Sequence, residues 1–90
     1  MTDNQPENER WNGDRVASVL AAQRQRVLRA LLDAEARPAD PILRDGEILD
    51  SEDYLTVCYE LHHEVLPGLA NERLVEFDRS DDEVRRGARF

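Results

Sequence analysis

Two histidines stand side by side at His62 and His63, with Glu60 and Glu64 around them and Cys58 one helical turn before His62. Imidazole, carboxylate and thiol groups build metal centres and nucleophilic sites, so this is the first place to look for chemistry. The spacing argues against both. Adjacent residues on a helix point about 100° apart and cannot hold one ion together. His63 with Glu60 or Glu64 supplies two ligands, and nothing nearby supplies a third or fourth. Cys58 and His62 lie at i and i+4, but no further group completes a catalytic set, and the chain has no glycine-rich phosphate loop. The expectation is a protein that is not an enzyme and holds no metal and no cofactor, with a core-facing His62 and a surface His63.

Arginines are the other chemistry-bearing groups. Arg24, Arg26 and Arg29 decorate a helical stretch, and Arg79, Arg85, Arg86 and Arg89 crowd the C-terminal end. Guanidinium groups so clustered can grip phosphates or enter a minor groove. Alternatively, Arg85 and Arg86 pair with Glu76, Asp78 and Asp82 across a hairpin. Charge is segregated along the chain: Asp40 to Glu60 holds seven acids and one arginine.

The elements that must position these groups follow from periodicity. Val16, Val19, Leu20, Val27, Leu28, Leu31 and Leu32 fit one apolar helical face, with Asp14 as the expected N-cap. The polar run Gln23-Arg24-Gln25-Arg26 favours a break near Ala21-Ala22 into two helices, the second ending before Pro38. Residues 37–50, interrupted by Pro38, Pro41 and an Asp45-Gly46 turn, have room for a helical turn or a short strand but not for an amphipathic helix. Asp50 or Ser51 caps a long helix, with Glu52 and Asp53 in its first turn, and Pro67 should kink or break it near residues 63–66. From Leu55 apolar side chains recur at Cys58, Leu61, Val65, Leu66 and Leu69, and at 100° per residue the buried side carries Leu55, Cys58, His62, Val65, Leu66 and Leu69, the outer side Asp53, Thr56, Glu60, His63 and Glu64. Leu74 to Phe77 alternates like a strand, Arg79 to Asp82 reads as a turn, and Glu83 to Arg86 as a returning strand.

Ninety residues make one domain. The expected organisation is a disordered acidic tail over residues 1–13, in which Trp11 folds back or anchors a partner, and a folded domain over residues 14–90. Twenty acidic residues against twelve basic ones give a net charge of −8, and all twelve are arginine. Dense carboxylates without lysine fit a protein kept soluble in concentrated salt, where repulsion is screened within a few ångströms, about 3 Å at 1 M. Cys58 has no partner for an internal disulfide and is expected as a buried reduced thiol. No apolar run approaches the ~18 residues of a membrane span, and the polar N-terminus does not resemble a signal peptide, so a cytoplasmic location is expected.

From Leu61 to Asp78 the chain resembles a group of small haloarchaeal winged helix-turn-helix proteins, described as a domain of unknown function or as transcriptional regulators. His63, Leu66, Pro67, Leu69, Val75 and Asp78 match that group's pattern, and Val84 to Gly87 and Gln25 to Leu32 are similar to it. Val65, Gly68 and Arg73 depart from it: they stand where the group has histidine, lysine and glycine. The resemblance covers roughly residues 15–90 and is weakest over 37–50.

It implies an α+β, mainly α, winged helix-turn-helix with a two-stranded β-hairpin wing, acting as a DNA-binding transcriptional regulator and as a homodimer. Thr56, His63, Arg79, Arg85, Arg86, Arg89, Arg26 and Arg29 are then the candidate DNA contacts. The carboxylates on the outer helix face repel phosphates. They favour the rival reading, a winged helix that docks a protein partner instead of DNA.

Overall fold

The computed structural model describes residues 4–90, with side chains from residue 15 onward. The tail expected over residues 1–13 and the packing of Trp11 lie outside the described side chains. The elements run α1 (Asn4–Asp33), β1 (Ala36–Pro38), α2 (Ser51–Glu60), a π-helical turn (Leu61–Val65), α3 (Leu66–Asn71), β2 (Val75–Asp78) and β3 (Glu83–Arg86). Since α2, the π turn and α3 are continuous, two helical bodies pack with one sheet among the described residues. The fold is a small α+β domain.

α1 is a single helix. Asp14 lies within it rather than at its start, and the polar run does not break it. Gln23 and Arg26 are turned inward to serve a loop that has no helix of its own. The Gln23 side chain is fully buried: its Nε2 donates to the carbonyls of Val19 (3.0 Å) and Ile42 (2.9 Å), and its Oε1 accepts from the Ile42 amide (2.7 Å). Irregular backbone packed against a core needs such partners. The loop's Asp45-Gly46 turn forms as expected, with Gly46 at φ 87° and Glu47 N donating to Arg44 O (3.0 Å).

The hairpin belongs to a larger sheet than the sequence suggests. β3 lies between β1 and β2, antiparallel to both, in the order β1-β3-β2. The third strand is only Ala36–Pro38, too short to show alternation, and Pro38 sits on an edge where its missing N–H is tolerated. In the turn, Asp78 Oδ1 accepts from the amides of Ser80 (2.9 Å) and Asp81 (3.1 Å), and Asp82 takes φ 55°.

Asp50 caps α2, its side chain accepting from Asp53 N (2.9 Å). Ahead of Pro67, where a kink or break is expected, the helix widens into the π turn. Proline offers no N–H and its ring crowds the carbonyl of the residue four positions earlier, here His63, and the wider turn relieves both. The extra residue shifts the helix phase by about 100°. Val57 and Leu61 are therefore fully buried with Leu66 and Leu69, while Leu55, expected in the core, is 66% exposed. Cys58, His62 and Val65 are half-buried, as are Asp53 and Glu60, which were expected outside. The core is completed by Val27, Leu31, Ala39, Val75 and Val84.

α3 ends in a Schellman arrangement. Leu74 N donates to Leu69 O and Arg73 N to Ala70 O, both at 3.0 Å, with Arg73 left-handed at φ 64° where the resembling group has glycine. Gly87 packs against this corner so closely that a Cβ there would meet Arg73 O at 2.5 Å and Val75 N at 2.8 Å.

Candidate interaction surfaces

The shifted phase changes what α2 shows to the outside. Its outer face carries Glu52, Leu55, Thr56, Tyr59 and His63, all exposed, with Glu64 beside it. Leu55 and Tyr59 are one turn apart at 66% and 61% exposure, and Tyr59 stacks on His63 with ring centroids 4.2 Å apart and planes at 29°. Thr56 Oγ1 donates back to Glu52 O (3.1 Å). Over residues 51–71 the chain has Glu52, Asp53, Glu60 and Glu64 but no arginine. This face is an apolar and aromatic ridge flanked by carboxylates.

His62 lies against the loop and the hairpin rather than in the apolar stripe. Its Nε2 is 2.6 Å from Ala39 O, which fixes the proton on that nitrogen because a carbonyl only accepts. Asp82 Oδ1 is 3.5 Å away, and the Phe77 ring is tilted beside the imidazole at 5.6 Å. The half-buried Cys58 thiol has its pKa pushed up by burial, which disfavours the reactive thiolate. Among the described residues, no group of three His, Cys, Asp or Glu side chains is placed to hold a metal ion.

The arginine candidates separate into three groups. Arg26 and Arg86 serve the fold. Arg26, with a side chain only 9% exposed, grips Glu47 through both terminal nitrogens (2.6 and 2.7 Å) and donates to Ile42 O (2.8 Å). This pairing, helped by the Arg44 amide, lowers the Glu47 carboxyl to about 2. Arg86 Nε donates to Leu31 O (2.6 Å) and Nη2 to Leu32 O (3.3 Å), capping the negative end of α1. The alternative in which Arg86 pairs across the hairpin gives way to a helix cap.

Arg79 and Arg85 form the second group. They share a surface groove of about 540 Å³ on the hairpin with Glu76, Phe77, Asp78 and Ser80. Arg79 lies over the Phe77 ring at 5.5 Å, and Arg85 pairs with Glu83 on its own strand (3.0 Å). Glu76 faces Arg85 in the strand register, but Arg85 forms its ion pair with Glu83.

Arg29 and Arg89 form the third group. They line a groove of about 400 Å³ between α1 and the C-terminal residues, together with Gln25, Leu28, Leu32, Leu74 and Phe90. Leu32 is 66% exposed and Phe90 39%. No carboxylate is among the described residues lining this groove, on a chain that has 20 of them. Reading the sequence placed Arg29 and Arg89 in separate clusters. Only the packing of the C-terminal residues against α1 brings them together.

Comparison with protein-family models, with curated proteins and with solved structures returns no match. Among the described residues, no helix is long and apolar enough to cross a membrane.

Proposed function

We propose that this chain is a winged-helix-derived interaction module that docks a protein partner on the outer face of α2. One observation carries the reading: Leu55 and Tyr59 stand exposed on consecutive turns of a helix that has four carboxylates and no arginine or lysine. Exposed apolar ridges with polar flanks are the usual form of protein docking sites. The same helix is poorly suited to a DNA groove, because its carboxylates repel phosphates and no cation offsets them. The order helix, strand, helix, hairpin, with β3 between its neighbours, supports a winged-helix origin in which the loop of residues 39–50 stands where a middle helix would be.

A second reading keeps the resemblance's function, a DNA-binding transcriptional regulator of a halophilic archaeon acting through the hairpin. It is favoured by Arg79 and Arg85, which share one groove. Affinity capture with the parent and with Leu55→Ser/Tyr59→Ser, alongside DNA binding over a range of KCl, separates the two readings. The docking reading expects a protein retained by the parent and lost by the variant, with no DNA bound. DNA binding that falls in Arg79→Ala/Arg85→Ala and is unchanged in the α2 variant would overturn it.

A further inference from the structure

Among the described residues, two apolar surfaces share no residue and differ in both charge and shape. One is the ridge of Leu55 and Tyr59 on α2 with His63 on the π turn that continues it, flanked by Glu52 and Glu64. The other is the concave groove of Leu28, Leu32 and Phe90, whose charged groups are Arg29 and Arg89. Each lacks the charge the other carries. Residues 51–71 contain no arginine, and no carboxylate is among the described residues lining the groove. The two arginines are also less committed than Arg26 and Arg86. Among the described residues Arg29 makes no ion pair, and Glu72, a carboxylate that Arg89 influences only through its charge, is already held by both terminal nitrogens of Arg24 at 3.0 Å.

We propose that the partner of the α2 face is a second copy of this chain: the acidic ridge of one molecule seats in the arginine-lined groove of the next. This rests on α2 being a protein docking face, and it names the occupant. Apolar contact supplies the attraction, and the opposed charges set the orientation. A symmetric contact of ridge on ridge would set Glu52 and Glu64 against their own copies, and groove on groove would do the same with Arg29 and Arg89. Like charges so placed are unfavourable, so ridge meets groove and the contact joins two different surfaces. Each molecule then has one donor surface and one acceptor surface.

Sedimentation of the full chain over a range of concentrations, in KCl at which it is folded, tests this. The parent should associate by mass action. Leu55→Ser/Tyr59→Ser, which removes the ridge, and Arg29→Glu/Leu32→Ser, which removes the groove, should each weaken association by about tenfold or more. Unchanged melting temperatures would verify that both variants fold, as expected for exposed positions. The decisive experiment mixes the two variants. One retains an intact groove and the other an intact ridge, so together they should form a 1:1 dimer and nothing larger. A parent that stays monomeric overturns the proposal, as does a mixture that stays monomeric or either variant still associating like the parent. If the parent is monomeric yet a foreign protein still binds in a Leu55- and Tyr59-dependent way, self-association fails and the docking reading stands. If neither occurs, both fall.

Discussion

Leu61→Ala and Leu55→Ala delete the same atoms from the same helix, and the π turn makes their consequences opposite. Leu61 is fully buried among core residues of α1, α3 and the sheet, whereas Leu55 is 66% exposed. Truncating a buried leucine forfeits its transfer free energy and leaves a partly collapsed cavity, a loss of about 2–5 kcal/mol. For a domain of this size each kcal/mol moves the melting temperature by about 4–8 °C, so a mid-range loss of about 3 kcal/mol lowers it by about 12–24 °C. Leu55→Ala should stay within about 0.5 kcal/mol of the parent. Thermal melts and urea titrations of both variants read this directly, with an unchanged urea slope showing that stability alone has altered. An uninterrupted α-helix predicts the reverse order, since it sets Leu55 well inside the buried face and leaves Leu61 at its margin. Equal losses, or a larger loss at Leu55, would refute the phase shift and with it the assignment of the outer face.

Arg73→Gly should stabilise the domain by about 1–2 kcal/mol, because φ 64° is strained for a residue with a Cβ, and chemical denaturation measures it. Gly87→Ala should destabilise by about 1–3 kcal/mol in the same assay, because its Cβ meets backbone that side-chain motion cannot relieve. Glu47 titrates near 2 in the folded chain against an ordinary 4.5, so its contribution is complete above about pH 4.5 and is lost as pH falls toward 2. Glu47→Gln should therefore lower stability at neutral pH and flatten the acid limb of a stability–pH curve, and an unchanged limb would remove the Arg26–Glu47 clasp from the account. Rising KCl should raise the melting temperature, since screening relieves repulsion among 20 carboxylates, and a flat or falling midpoint counts against adaptation to high salt.

Several elements were legible in the sequence because local chemistry dictates them: a cap at Asp50 or Ser51, the Asp45-Gly46 turn, the hairpin and its Arg79–Asp82 turn, and the absence of an amphipathic helix over residues 37–50. Three were not. The polar run at Gln23 to Arg26 looked like a break because its partners, Ile42 and Glu47, are distant in sequence and set by tertiary packing. β1 is too short to carry a pattern and exists only through its pairing with β3. The apolar recurrence in the long helix picks out Leu61, Leu66 and Leu69, all fully buried, whereas the face drawn at 100° per residue puts Leu55, Cys58 and His62 inside in place of Val57 and Leu61. A regular helix extrapolated backward from Leu66 and Leu69 reaches His62, Cys58 and Leu55, whereas the π turn inserts one residue and delivers Leu61 and Val57 instead. Pro67 is the available signal: it predicts a kink or break near residues 63–66, and the structure has a π turn there, with its change of phase. The candidate surfaces inherit that error directly, since Tyr59 belonged to no predicted face.

Pro67 thereby acquires authority over what another molecule encounters, although it lies on neither the ridge nor the groove. Both phases of this helix are chemically acceptable to the core: one offers Val57 and Leu61, the other Leu55 and Cys58. They differ in what they leave outside, a tyrosine and a leucine in the first and a row of carboxylates with a hydroxyl in the second. A proline that discourages a regular turn next to it selects the first. Homologous chains that differ at this position could keep the same core volume and the same outer residues in sequence while presenting unrelated surfaces. In this fold, the identity of a binding face is encoded by helix pitch as much as by the residues that compose it.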